Sequence, residues 1–538
     1  MAKPKEQNFL HGAVILTAGV IITKILGAIY KIPLGNILGD DGYAYFYSAY
    51  SVYNVFLTMT TAGLPVAMSR MVAEAHEQGH YMQVRRTFSV SWWTFLVIGF
   101  ISACIMFLFP QNLANLLDRP EAAASIYTIA PGILFVCVVS AYRGYCQGHK
   151  NMTPTTIGQV IEVLVKVIVG LALAIFFVRQ GRTVEIACSG ATFGVTAGGF
   201  AVLIYMYLYK RRNYHDPDRE ECSDTPMSSS DTLKRLLSIG IPITIGSSGM
   251  SLISLIDTKF INNRLQMAAG FSPHDSAVLF GVFSKAQTLY NLPAAFVTPL
   301  VISIVPSIAA YMVVKDYKNA GKTSEDALRI TLDICMPMGI GLAVLAAPIM
   351  DTLYHGSHSS GPRLLAIMGL ASFFVCFSLV QNAILQAHGN EKLTIVSLFT
   401  GGLIKITVDW FLVAIPSINI YGDPIGTILC YAVICIMNHI FIRKHYEYKP
   451  SLARIVPKPL ISSLIMGAFA LGSYYLIRLV VRGESRLETL ICMLFCVVVA
   501  VVVYVIAVVQ TRAITKEDMS LIPKGDKIAR YLHLKSAE

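Results

Sequence analysis

Lys24 and Lys31 stand seven residues apart in the apolar run TAGVIITKILGAIYKIPLGNILG, so on a helix they lie within about 20° of one face. A lysine inside a membrane span costs on the order of 2.5 to 3.5 kcal/mol on insertion scales unless it meets protein or water. Two on one face either line a common cationic cavity, whose natural ligand is an anion, or snorkel to headgroups from near the span ends. Lys285 is a third such residue, in the segment GVFSKAQTLYNLPAAFVTPLVISIVPSIAAYMV, which also carries Gln287, Tyr290 and Asn291. Pro293, Pro299 and Pro306 in the same segment each free a carbonyl and bend a helix. Asp257, in SLIDTKF, is placed to titrate, to hold a coupling cation or to pair with a lysine across a cavity; Asp333 is the second candidate coupling carboxylate.

Other ionisable sets read as structural. Glu162 with Lys166, and Lys405 with Asp409, are i,i+4 pairs able to neutralise themselves. Gly190, Gly194 and Gly198 form two G-x-x-x-G steps that suit close helix packing. His76-Glu77-Gln78-Gly79-His80 fits H-E-x-x-H, which on a helix sets two zinc ligands on one face beside a glutamate base. Gly79 interrupts it, the segment falls in a short loop, and no third ligand follows at zincin spacing, so no metal and no cofactor is expected. His355 and His358 read as members of an outer loop.

The elements that must position these groups follow from composition. The chain has 538 residues, 55% hydrophobic and only 14% charged, which predicts an all-α polytopic membrane protein. Its hydrophobic runs predict about 14 transmembrane helices. The net charge of +11 does not indicate nucleic acid, because with the N-terminus inside most Lys and Arg fall in cytoplasmic segments. The expected location is the cell membrane, multi-pass, with both termini cytoplasmic. Eleven cysteines, nearly all inside spans, imply no disulfide framework.

The chain also repeats itself. Tyr53-Asn54 and Thr61 recur as Tyr290-Asn291 and Thr298; Gln147, His149, Asn151, Thr155 and Lys166 recur at nearly the same offset as Gln386, His388, Asn390, Thr394 and Lys405. The expected organisation is an N-terminal six-helix lobe (1–209), a cytoplasmic linker (210–235), a C-terminal six-helix lobe (236–442), helices 13 and 14 (443–510) and a cytoplasmic tail (511–538). An even number of spans per repeat gives both pseudo-symmetric lobes the same orientation, with a substrate path expected between them. Pro33, Pro65, Pro242 and Pro293 are the expected hinges.

T-K-I-L-G at 23–27, P-L-G-N-I-L-G at 33–39, Y-N-L-P at 290–293 and the repeated Q-x-x-x-N-x-x-x-T resemble the multidrug/oligosaccharidyl-lipid/polysaccharide exporter superfamily. The likeness runs over essentially the whole chain and is to the polysaccharide-type branch of stage V sporulation protein B and the MurJ-type lipid II flippases. It implies a flippase, not an enzyme, that moves an undecaprenyl-diphosphate-linked saccharide outward by alternating access. Lys24 then takes the place of a family cavity residue that is usually basic. Span 2 has no Lys or Arg before Arg70, and Asn291-Leu292 precede Pro293 where lipid II flippases tend to carry an acid, so the saccharide stays open. An anionic head with a sugar suits lysines, hydroxyls and amides: Lys24, Lys31, Lys285, Tyr50, Tyr53, Asn54, Gln287, Tyr290 and Asn291. Membrane lipids and a monovalent cation are the other expected partners. The alternatives are a cation-coupled multidrug antiporter of the same fold, which should carry carboxylates in span 1, a polytopic glycosyltransferase, which needs larger loops, and a membrane scaffold, in which the lysines are dispensable.

Overall fold

The computed structural model describes residues 9–214, 224–446, 450–481 and 486–511, and every regular element among them is helical. In the first part of the chain these are α1 (Phe9–Thr61), α2 (Leu64–Glu77), α3 (Tyr81–Leu108), α4 (Pro110–Leu116), α5 (Ala123–Gly148), α6 (Thr153–Arg179), α7 (Val184–Asn213) and α8 (Ser229–Met267). There follow α9 (Pro273–Tyr290), α10 (Leu292–Val313), α11 (Tyr317–Val344), α12 (Ala346–Leu353), α13 (Gly361–Ala387), α14 (Glu391–Leu412), α15 (Gly422–His445), α16 (Leu452–Ile455), α17 (Pro457–Val480) and α18 (Arg486–Thr511). Among the described residues eleven segments are long and apolar enough to cross a membrane, the bent run Ala18–Glu77 counted as one. The protein is thus an all-α multi-pass membrane protein. The expected tail beyond Thr511 lies outside the described residues, as do Cys222 and the middle of the linker.

Three backbone breaks shape the spans. At Gly39 (φ 76°, ψ −169°) α1 kinks in a conformation that L side chains rarely adopt. The second break precedes Leu64-Pro65, where a Cβ on Gly63 would meet the Gly240 carbonyl of α8 at 2.1 Å. The third is at Asn291, so the predicted single helix over 281–313 is two helices, with Pro293 in the first turn of α10. Proline fits a first helical turn because its missing N–H has no partner to lose there. Pro65 and Pro293 therefore open new helices, while Pro33 and Pro242 lie inside α1 and α8.

Compactness divides the chain into residues 1–281 and 282–538, so α8 packs with the first unit and the polar stretch 210–235 is internal to it. Asp224, just beyond that stretch's undescribed middle, accepts from the Met82 and Gln83 amides at 3.1 and 3.0 Å, holding it to the start of α3. The first unit's core joins Ala49, Val52 and Tyr53 of α1 to Ile126, Ile129 and Ile133 of α5. The three glycines of α7 meet α6 closely: added Cβ atoms on Gly194 and Gly198 would lie 2.6 Å from Gly170 Cα and 2.5 Å from the Glu162 carbonyl. In the second unit Val297, Leu332, Phe377, Ile384 and Ile442 form the core of α10, α11, α13 and α15. Met466 and Ala470 of α17 pack with Cys496 and Ala500 of α18, while Leu494, Phe495, Val498, Val501 and Val502 stay exposed, the pattern of a lipid-facing helix.

The sequence repeat is also a structural one. His149 donates from Nδ1 to the Tyr145 carbonyl at 2.9 Å, and Asn151 donates to the hydroxyls of Tyr209 and Tyr214. His388 donates to the Ile384 carbonyl at 2.8 Å, and Asn390 donates to Tyr446. Tyr214 and Tyr446 each directly follow the last helix of their repeat.

Candidate functional site

In the first unit Lys24 is exposed and Lys31 half-buried. The Lys31 ammonium lies 5.6 Å from the ring centroid of Tyr50 and 6.0 Å from that of Tyr47, within the range of cation–π attraction. Lys166 of α6 joins them, its ammonium 5.7 Å from the Tyr30 ring centroid. Lys24 and Lys166 both act electrostatically on Lys31. An aromatic ladder links the seats: Tyr30 to Phe46 at 6.1 Å, Phe46 to Tyr50 at 5.9 Å and Tyr50 to Tyr53 at 5.7 Å between centroids. Among the described residues no carboxylate forms an ion pair with Lys24, Lys31 or Lys166.

The Glu162–Lys166 pair expected from sequence does not form. Glu162 instead accepts from Arg143 of α5 at 2.7 Å; i,i+4 spacing permits a pair, but a bonded guanidinium from a neighbouring helix competes better than a flexible ammonium. Lys166 is the cation that sequence reasoning assigned elsewhere, and its signal was Arg143, nineteen positions before Glu162.

The Lys405–Asp409 pair does form, at 2.6 Å, and a second carboxylate, Asp423 of α15, reaches the same ammonium at 2.5 Å. All three side chains are buried. Gly426 makes room for the arrangement, since a Cβ there would sit 2.0 Å from Asp409 Oδ1.

The remaining candidates divide by burial. Tyr53 is part of the first unit's core, and Asn54 is half-buried beside it. Lys285 is 3% exposed, with its ammonium 5.4 Å from the ring centroid of buried Tyr354. Gln287 and Tyr290 are half-buried; Asn291 is exposed at the break and donates to the Gln287 carbonyl at 2.8 Å. Asp257 is half-buried on α8. Asp333 is buried, and its backbone carbonyl accepts from the Tyr504 hydroxyl of α18 at 2.6 Å.

H-E-x-x-H does not make a helical face. The second helix ends at Glu77, Gly79 has φ +73°, and His80 precedes α3. Glu77 pairs with Lys150, and His76 packs on His149 with centroids 4.7 Å apart.

A separate polar cluster ties α8 and the start of α9 to the segment between α4 and α5. Arg119, 1% exposed, donates to the Pro273 carbonyl at 2.9 Å, to Asn262 Oδ1 at 3.0 Å and to Ser276 at 2.7 Å. Burial pushes its guanidinium down to about 10. Next to it Asp118 accepts from Lys259 at 2.8 Å.

A long bent first helix, paired spans and repeated inner motifs define an all-helical transporter-type fold. Comparison with known proteins places it more closely. The polysaccharide biosynthesis protein family matches residues 9–312, and the chain belongs to that family. It is 28% identical over 86% of its length to the lipid II flippase MurJ of Bacillus subtilis (strain 168), covering 88% of that protein. To stage V sporulation protein B of the same organism it is 25% identical, over 87% of this chain and 91% of that one. Among solved structures, the inward closed conformation of lipid II flippase MurJ superposes with a TM-score of 0.67 at 16% identity, over 92% of this chain and 99% of that one. The inward-facing conformation of a multidrug resistance MATE family transporter of the MOP superfamily superposes with a TM-score of 0.66 at 15% identity, over 80% and 97%. The fold is therefore that of the multidrug/oligosaccharidyl-lipid/polysaccharide superfamily, and two transporter types share it almost equally.

Proposed function

We propose that this protein is a flippase that carries an undecaprenyl-diphosphate-linked saccharide across the cytoplasmic membrane by alternating access, with both termini cytoplasmic. The observation that carries the reading is the set of lysines on the first unit, exposed Lys24 with Lys31 and Lys166 seated on tyrosines, with no carboxylate paired to them among the described residues. A cationic drug has no reason to approach such a surface, whereas a phosphate does. The family match and the names of the two Bacillus subtilis relatives support the same direction. Lys285, Tyr53, Asn54, Gln287, Tyr290 and Asn291 are proposed as further substrate-side groups, of which exposed Asn291 is the most accessible to a sugar. Asp257 and Asp333 are proposed as coupling carboxylates for a monovalent cation. Two conformations are required, and substrate and ion act by biasing their populations.

The test is replacement of a depleted lipid II flippase by this protein, reading outward exposure of lipid II. Rescue by the wild type and its loss in Lys24→Ala establish a lipid II flippase with a working cationic site. An inserted protein that fails to rescue, yet exports another polyprenyl-linked glycan, keeps the class and changes the saccharide. Full activity of Lys24→Ala removes the anion-site reading.

A further inference from the structure

Lys166 and Lys405 occupy the same position of the internal repeat, each eleven residues after a repeated threonine, Thr155 and Thr394, yet their surroundings are opposite. Lys405 is clamped between Asp409 at 2.6 Å and Asp423 at 2.5 Å. At the place of Asp409 the first repeat has Gly170, and an added Cβ there would meet the Tyr30 hydroxyl at 2.9 Å. Tyr30 thus fills the space in which the second repeat keeps its carboxylate, and it is anchored by donating to the Ala191 carbonyl at 2.9 Å. The first turn of α7 does carry an acid, Glu185, as the first turn of α15 carries Asp423, but no ion pair joins Glu185 to Lys166. One lysine of the repeat is neutralised, and its twin is released onto an aromatic face.

We propose that Lys166 is the third cation of the anion site and that it makes the site select a diphosphate over a monophosphate. This rests on the flippase reading and names the group that sets its specificity. Lys24 and Lys31 alone supply two positive charges. Lys166 adds a third with a seat of its own, its ammonium 5.7 Å from the Tyr30 ring centroid where that of Lys31 lies 5.6 Å from the Tyr50 ring centroid. A spread of three cations gains more from a ligand with two linked phosphates than from one with a single phosphate, because the added negative charge meets an added positive one. Bringing an anion between Lys31 and Lys166 also relieves their mutual repulsion.

The experiment uses the full chain in nanodiscs of zwitterionic lipid and measures binding of two probes of equal chain length, a polyprenyl diphosphate and a polyprenyl monophosphate. The wild type is expected to prefer the diphosphate by about tenfold, a single decade in Kd. Lys166→Gln is expected to lose most of that preference, and Lys166→Arg, which keeps the charge, to retain it. Lys405→Gln is expected to lower stability and leave the preference as it is. If Lys166→Gln keeps the wild-type preference while Lys24→Gln loses diphosphate binding, the inference is overturned and the flippase reading stands. If the wild type binds neither probe, both are overturned.

Discussion

The ammonium of Lys405 lies 2.6 Å from Oδ2 of Asp409, one helical turn further along α14, with the two side chains only 9% and 1% exposed. Ion pairs so enclosed are costly to break from one side, because the remaining charge cannot recover its water. Lys405→Met removes the ammonium that Asp409 and Asp423 share and is expected to cost about 3 to 5 kcal/mol, read as a lower thermal unfolding midpoint in detergent. Asp409→Asn leaves Asp423 on the ammonium and is expected to cost less. Equal midpoints for Lys405→Met and the wild type contradict the assignment.

Lys31 is held differently, by rings rather than by an opposite charge. Replacing Tyr50 by Leu removes the nearer ring, worth about 0.5 to 2 kcal/mol for a cation–π contact, and is expected to slow transport several-fold; Tyr50→Phe keeps the face and most of the rate. Lys31→Met is expected to slow transport at least about tenfold, since the charge itself goes. Initial rates in proteoliposomes decide this, and a Tyr50→Leu rate equal to that of Tyr50→Phe shows that the ring face does not matter.

Much of the fold was legible because membrane spans are written in hydropathy and the internal repeat is written in spacing. The α7 glycines announced close contact, and α6 runs against all three. Pairing was less legible. An i,i+4 rule gave Lys405 its Asp409 correctly, but gave Lys166 to Glu162, which Arg143 takes instead. Asp423 was invisible to that rule because it arrives from a different helix. The break at Asn291 was hidden for another reason: three prolines in an apolar run bend or break a helix according to what surrounds them, and Pro293 starts a helix here.

Arg119 offers a test of how firmly α8 and the start of α9 are held. Its guanidinium supplies three bonds at once, to Pro273, Asn262 and Ser276, in a fork that lysine cannot reproduce. Arg119→Met leaves those acceptors buried without their donor and is expected to lose about 3 kcal/mol. Arg119→Lys is expected to recover only part of it. Unfolding midpoints, with hydrogen exchange over residues 260–276, separate a local loosening from general instability; unchanged exchange there rules out the clasp.

The two repeated histidines give the protein a pH dependence whose sign follows from burial. Burial lowers both His149 and His388 from the ordinary value of 6.5. Backbone bonds to Tyr145 and Ile384 oppose the shift, and His76 and Lys210 add to it at His149. The described neighbours in contact are rings: His149 packs on His76, Tyr145 and Tyr214, and His388 stacks on Tyr446 at 3.8 Å, beside His445 in a cavity of about 270 Å³. A folded-state value below the unfolded one means that the unfolded chain binds protons first. Stability from these groups is therefore complete above pH 6.5 and declines as the pH falls through and below that value. Hydrogen exchange over 145–156 and 384–394 is expected to quicken between about pH 7.5 and about pH 5.5, after correction for the intrinsic rate. The double variant His149→Gln/His388→Gln, which cannot be protonated, is expected to lose that dependence while keeping a side-chain donor for each carbonyl. An unchanged pH response in the variant assigns it to other groups.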